Sequence, residues 1–497
     1  MSLIQVSDLT FAYDGSYENV FEHVSFQIDT NWRLGFTGRN GRGKTTFLNL
    51  LLGKFVYSGS ISASVAFSYF PYTVEDTGVP AVDVVEKIFP DYEYWQLARE
   101  MNLLQLDEEI LYRPYETLSN GEQTKLQLAV LFLKENNFLL IDEPTNHLDI
   151  HGRELVSRYL RGKRGFILVS HDRAFLDGCV DHILSINKAD IQVCRGNFST
   201  WYENKQRQDA FEQAENNKLK KEIGRLEETA REKARWSDTA ERRKIGIDPN
   251  KVDNKKGYRP LQGAKAKKTM ARAKAIEARQ TAAIEEKSKL LKNIERSDVL
   301  KIFQTPFHTS RLVQVKDVSV QYGAVPVCRD VSFEIVRGDR VVLQGTNGSG
   351  KTSLIRLVCG EDIPHTGEVR LGSGLRISLV SQDAAGLGGS LKDFARAREL
   401  DESLLLAMLD KLDVPRVQLE RDMSSLSAGQ KKKVLLAASI CEPAHLHIWD
   451  EPMNYIDVIS RMQIEELLLK YRPTVLFVEH DKMFCDHIAT KVVELKG

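Results

Sequence analysis

The sequence predicts two α/β domains of one fold in tandem, joined by a long antiparallel α-helical hairpin. Three observations predict it. A block near the N-terminus returns in the second half; each block runs strand, glycine-rich loop, helix; and the stretch between the blocks has helix-forming composition broken by turn residues.

The repeat is read directly. LIQVSDLTFAYDG from Leu3 is answered by LVQVKDVSVQYGA from Leu312, VSFQI by VSFEI, and GRNGRGKTT by GTNGSGKTS. The offset stays at about 307 to 309 positions from the first strands to the last histidine-bearing loops, as duplication requires. The expected organisation is therefore a first domain over 1–200, a helical linker over 201–302 and a second domain over 303–497.

In the linker, Leu219, Ile223, Leu226, Ala230 and Ala234 recur at three- and four-residue steps, and Ile276, Ala283, Leu290 and Ile294 follow at seven- and four-residue steps. Gly246, Pro249, Gly257, Pro260 and Gly263 separate the two arms. From Lys233 to Arg279 there are fifteen Lys or Arg against five acidic residues, although the whole chain of 497 residues is neutral. A one-signed excess near 242–262 points to a polyanionic partner, where a mixed-charge hairpin would point only to solvent. Arg242, Arg243, Lys244, Lys251, Lys255, Lys256 and Arg259 are the candidate phosphate contacts. Tyr258, the aromatic of the apex, has two readings: stacking on a base, or packing against Ile247 or Val252.

Composition bounds the class. With 42% apolar and 28% charged residues the chain can build ample cores. The N-terminus lacks a basic segment followed by an apolar one, and no run of eighteen apolar residues occurs, so a cytoplasmic protein without a membrane span is expected. The six cysteines are scattered singly and are expected as reduced thiols, not as a zinc or redox site.

The chemistry lies in the glycine-rich loops. Gly38, Asn40, Gly41, Gly43, Lys44, Thr45 and Thr46 follow an apolar strand and open a helix; Gly345, Asn347, Gly348, Gly350, Lys351, Thr352 and Ser353 repeat them. Such a loop turns backbone N–H groups toward phosphates, the lysine neutralises the β and γ oxygens, and the first hydroxyl can ligate Mg2+. Downstream, FLLIDEP and HLHIWDEP end apolar strands in Asp142–Glu143 and Asp450–Glu451. The aspartate is placed to hold Mg2+ and the glutamate to act on the attacking water of a nucleoside triphosphatase.

Ahead of these strands stand LSNGE, with Ser119 and Gly121, and LSAGQ, with Ser427 and Gly429. This succession resembles the ATP-binding cassettes of ABC ATPases, so the fold class expected is two tandem ABC-type P-loop nucleotide-binding domains. The resemblance implies that the two domains pair within one chain, a monomer. Each ATP is then shared: Lys44 with Ser427 and Gly429, Lys351 with Ser119 and Gly121. It also implies that His171 and His480 sense the γ-phosphate, that Tyr13 and Tyr322 stack on adenine, and that Gln382 helps hold Mg2+. The first copy reads YFPYTV where that glutamine belongs, with Tyr72 nearby, so two unequal hydrolytic sites are expected. The D-loop aspartates Asp149 and Asp457 are kept, although DEPTNHLD becomes DEPMNYID.

Two cassettes, a long basic hairpin and no span resemble the ABC-F proteins. The segment between Tyr72 and Leu118 is about as long as that between Gln382 and Leu426, so no extra arm is expected in the first domain. That pattern, with the linker sequence, is similar to the members that protect ribosomes from lincosamides, streptogramin A and pleuromutilins. The resemblance implies a bacterial 70S ribosome as partner, with ribosomal RNA and P-site tRNA near the exit site. The linker is then expected to dislodge drug from the peptidyl-transferase centre. A housekeeping ABC-F translation factor, the ATPase subunit of a drug exporter, and a non-cycling nucleic-acid clamp are the other readings.

Overall fold

A computed structural model describes the chain apart from residues 1, 16–18, 147, 188–189, 246–299, 323–324, 347, 385 and 496–497. The chain divides into two compact units, one of residues 1–201 with 297–497, the other of residues 202–296.

Among the described residues, the first half of the larger unit has nine strands: β1 (Leu3–Phe11), β2 (Phe21–Asp29), β3 (Arg33–Thr37), β4 (Ser58–Ser62), β5 (Ala66–Phe70), β6 (Asn137–Asp142), β7 (Phe166–Val169), β8 (His182–Asn187) and β9 (Asp190–Arg195). An antiparallel sheet runs β2–β1–β4, and a second sheet runs β5–β6–β7–β3–β8–β9, parallel except for the last pair. β7 and the interior of β6 are buried on both faces, which is why FILV and FLLI read as unbroken apolar runs and not as alternation.

The second half repeats the plan. β10 (Arg311–Tyr322), β11 (Val325–Val336) and β13 (His365–Leu371) pair in the order β11–β10–β13. Strands β12 (Arg340–Gln344), β14 (Ile377–Val380), β15 (Leu446–Asp450), β16 (Val475–Val478) and β17 (Lys491–Glu494) form a parallel sheet in the order β14–β15–β16–β12–β17.

This order positions the chemistry. β3 lies beside β7 and β7 beside β6, so the loops leaving their carboxyl ends converge; β12, β16 and β15 do the same. The helix Lys44–Leu51 packs behind β3 through Phe47, whose ring meets Phe36 at 5.6 Å and Phe21 at 6.1 Å, nearly edge to face. Phe47 is fully buried. Truncating it to alanine would leave a cavity under the phosphate loop and cost about 3–5 kcal/mol.

A helix Phe198–Ile245, 48 residues long, runs through the 219–234 periodicity. The expected second arm, the turn residues between the arms, and Lys251, Lys255, Lys256, Tyr258 and Arg259 lie outside the described residues. The side chains of Arg242, Arg243 and Lys244 do too, although their backbone belongs to this helix.

Candidate active site

Each phosphate loop is shaped by glycine. Gly43 caps the helix Lys44–Leu51 at φ 93°, and a Cβ there would lie 2.5 Å from Val20 Cγ1, so both conformation and space exclude a side chain. Gly350 holds the same place before the helix Lys351–Val358 at φ 86°. Both lysines fold back on their loops. Lys44 Nζ donates to Gly38 O (2.7 Å) and Arg39 O (3.2 Å), and Lys351 Nζ to Gly345 O (2.9 Å) and Thr346 O (2.8 Å). Burial pushes both ammonium groups below the usual lysine range. That cost is one a polyphosphate would offset by charge pairing.

Behind each loop stands the acidic pair. Thr45 Oγ1 donates to Asp142 Oδ2 at 3.1 Å, and the Thr352 side chain bonds Asp450. Asp450 Oδ1 is buried without a hydrogen-bond partner. A hydroxyl, a carboxylate and an unpartnered carboxylate oxygen make a hard-oxygen set that fits Mg2+. Glu143 and Glu451 both adopt left-handed backbone, at φ 51° and 47°, which costs on the order of 1–3 kcal/mol each. His171 Nε2 stands 3.3 Å from Glu143 Oε1, and His480 Nε2 stands 3.4 Å from Glu451 Oε1.

The two glutamates differ electrostatically. Burial, then the charge of Asp142, pushes the Glu143 carboxyl up to about 8. Burial also raises Glu451, but hydrogen bonds from His480 and Gln382 and the charge of Lys432 outweigh it and hold that carboxyl below its usual range. Burial, then Lys44, holds His171 well below the usual histidine range, so its ring is neutral at pH 7.

The signature sequences are helix caps. Ser119 begins the helix Asn120–Leu131 and Ser427 the helix Ala428–Cys441. Glu122 N and Gln430 N donate to the serine hydroxyls, while the Glu122 and Gln430 side chains accept from the serine N–H groups. The fifth residue of LSNGE and LSAGQ is thus fixed by capping chemistry, a signal present in the sequence that the motif reading passed over.

The domains meet through these elements. One cavity of about 870 Å³ is lined by Lys351, Thr352, Gln382, Glu451 and His480 of the second domain and by Ser119 and Gly121 of the first. Tyr322 also lines it, its hydroxyl 3.2 Å from Ser353 Oγ. At the other junction Asn40 Nδ2 donates to Tyr455 O at 2.7 Å, and a Cβ on Gly429 would lie 3.4 Å from that same Nδ2. Tyr13 stands over the start of the first loop helix, its hydroxyl 2.6 Å from Thr46 Oγ1. Asn347 lies outside the described residues.

Several polar residues here were not visible as functional from sequence. Lys432 Nζ donates to Ser381 O, Gln382 O and Asp450 O, and buried Lys433 pairs with Asp457 at 2.8 Å, although KKK reads as a solvated run. Glu479, in place of Ser170 of the first copy, accepts from Met453 N at 2.7 Å.

Two mainly parallel sheets, each carrying a phosphate loop, an acidic pair and a histidine, and each facing the other's capped signature helix, define a paired P-loop ATPase. Residues 21–146 and 328–454, just over half of the chain, match the family model described as ABC transporter, and the chain belongs to that family, as an ATP-hydrolysing enzyme. It is 27% identical over 488 residues to the ribosome protection protein VmlR of Bacillus subtilis, covering 96% of this chain and 84% of that one. It is 24% identical to the energy-dependent translational throttle protein EttA of Haemophilus influenzae, covering 96% and 89%. Its fold is also similar to an archaeal ribosome recycling factor crystallised with a ribosomal stalk protein, with TM-score 0.61 at 18% identity over 99% of this chain and 87% of that one. Among the described residues no helix is long and apolar enough to cross a membrane.

Proposed function

We propose that this chain is a cytoplasmic ABC-F ATPase that binds the bacterial 70S ribosome and protects it from antibiotics of the peptidyl-transferase centre. The observation that carries the nucleotide chemistry is the cavity that joins Lys351 and Glu451 of one domain to Ser119 and Gly121 of the other. The 27% identity to a ribosome protection protein along 96% of the chain supports the biological role.

In this reading two ATP molecules lie between the domains. Lys44 and Lys351 neutralise their phosphates, Tyr13 and Tyr322 stack on the bases, and the helix ends at Ser427–Gly429 and Ser119–Gly121 close over the γ-phosphates. Thr45, Asp142, Thr352, Gln382 and Asp450 would hold Mg2+, which supplies charge neutralisation for phosphoryl transfer. Glu143 and Glu451 orient the attacking water; Glu451, held ionised, accepts its proton, while Glu143, which burial keeps protonated near neutral pH, would do so once bound positive charge lowers its carboxyl, and His171 and His480 fix those glutamates against the γ-phosphate. Hydrolysis removes the group both domains grip, and they part.

The basic linker, in the same reading, follows ribosomal RNA from the exit site toward the drug pocket, with P-site tRNA displaced. Deleting residues 246–262 is expected to abolish protection and ribosome binding while ATP turnover of the free protein persists. Protection retained in that deletion would remove the linker from the mechanism. A housekeeping translation factor is the second reading, favoured by the 24% identity to a translational throttle protein. It predicts an elongation defect in drug-free cells lacking the protein. An exporter subunit predicts lowered intracellular drug instead.

A further inference from the structure

The first domain lacks a loop glutamine, and the structure shows what stands around the gap. Register aligns the two copies residue by residue. Phe70 pairs with Ile141 ahead of Asp142, and Val380 pairs with Trp449 ahead of Asp450, so Tyr69 matches Leu379 and Tyr72 matches Gln382. Counting from the helix caps Ser119 and Ser427, Gln127 matches Leu435 and Thr124 matches Lys432.

In the second domain Gln382 reaches the Glu451 carboxylate, and Lys432 holds the loop backbone at Ser381 O (2.7 Å) and Gln382 O (3.2 Å). In the first, other residues hold the neighbouring carboxylate Asp142 and the loop backbone. Tyr69 Oη donates to Asp142 Oδ2 at 2.9 Å, on the oxygen that Thr45 also reaches. The amide of Gln127 holds both backbone groups of Tyr72, accepting from its N–H at 2.9 Å and donating to its C=O at 3.0 Å. Gln127 is buried, and its Nε2 is fixed further by Tyr115 Oη at 2.8 Å. Their counterparts Leu379 and Leu435 are apolar, so neither arrangement is inherited from the shared fold.

We infer that Tyr69 and Gln127 are positioning residues of the first ATP site that together replace the missing loop glutamine and its lysine. Tyr69 orients Asp142 from the strand side. Gln127 locks the loop at Tyr72 to the helix that carries Ser119, so that closure of the signature helix on the other ATP is transmitted to the Asp142–Glu143 end. A buried amide with both backbone partners satisfied transmits such a shift because neither partner can be left unpaired without cost. The inference rests on the assignment of Lys44 to an ATP site, and its test separates the two.

The full chain is made with Glu451→Gln, so that turnover reports the Lys44 site, and Tyr69→Phe, Gln127→Leu or Gln127→Met is added. Each is expected to lower kcat roughly tenfold with little change in KM, the thermal midpoint holding in Tyr69→Phe and falling by a few degrees in the two Gln127 variants. Tyr72→Gln is expected to restore turnover to Tyr69→Phe, a rescue that a purely structural hydroxyl would not show. Independently of turnover, hydrogen exchange of the Tyr72 amide without nucleotide should quicken in Gln127→Leu and not in Tyr69→Phe. Unchanged kcat in all three variants, while Lys44→Ala is inactive, overturns the inference; so does lost turnover that Tyr72→Gln leaves lost with the Tyr72 amide still protected. Turnover that survives Lys44→Ala would instead refute the ATP-site assignment.

Discussion

Arg173 Nη2 lies 2.5 Å from Glu465 Oε2, joining the two domains across 292 positions of sequence with both side chains buried. The other oxygen of Glu465 meets His487 Nδ1 at 2.6 Å. Arg173 is two residues past His171, and the same step past His480 brings Lys482 within 2.8 Å of Glu154 on the first domain. Each histidine loop therefore carries a cation onto the helix behind the opposite domain's D-loop aspartate, but one pair is buried and the other exposed.

That difference predicts unequal latches. Arg173→Met leaves the buried Glu465 carboxylate with His487 in place of two partners and is expected to weaken domain pairing by up to about 3–5 kcal/mol. Glu154→Gln removes an exposed pair and is expected to cost about 0–1 kcal/mol. Thermal unfolding of both variants checks this; a larger loss from Glu154→Gln would contradict it.

Gly429 predicts a steric effect at the first junction. A Cβ there would lie 2.6 Å from Tyr455 O, the carbonyl that accepts from Asn40, and a backbone atom cannot swing aside as a side chain can. Gly429→Ala should lower ATP turnover by roughly tenfold or more, with nucleotide still bound through Lys44. Steady-state kinetics with fluorescent-nucleotide binding measures both terms.

His447 predicts a pH dependence of stability. It is fully buried on β15, and burial holds its ring down to about 4. The unfolded chain takes up the proton near the ordinary 6.5, so the folded state is fully favoured above that pH and loses stability as pH falls toward 4. The loss from this group is on the order of 3 kcal/mol. His447→Leu, which installs the residue of the first copy at Leu139, should flatten the urea midpoint between those two pH values. An unchanged slope would show that His447 is not the group responsible.

How much of this was legible depends on what fixes each residue. Gly43, Lys44, Asp142 and Ser119 stand at spacings that phosphate geometry and helix capping impose, so two copies in one chain expose them. Arg173 and Glu465 are 292 positions apart, and only the folded pairing brings them together. Gln127 and Lys432 act on backbone carbonyls and amides, groups every residue has, so no partner residue in the sequence announces them. Lys433 reads as surface charge until its partner Asp457 is seen to be buried with it. Placing the copies side by side, position by position, would have flagged Tyr69 against Leu379 and Gln127 against Leu435 as polar residues without counterparts.

ATP-driven protection of the ribosome is decided by the growth of a susceptible bacterium that expresses the protein. Raised tolerance to a lincosamide, a pleuromutilin or a streptogramin A is expected with the native chain, and none with Glu143→Gln/Glu451→Gln, which should instead remain on 70S particles. Unchanged tolerance to all three drugs with the native chain well expressed, or equal protection by the double variant, would contradict it.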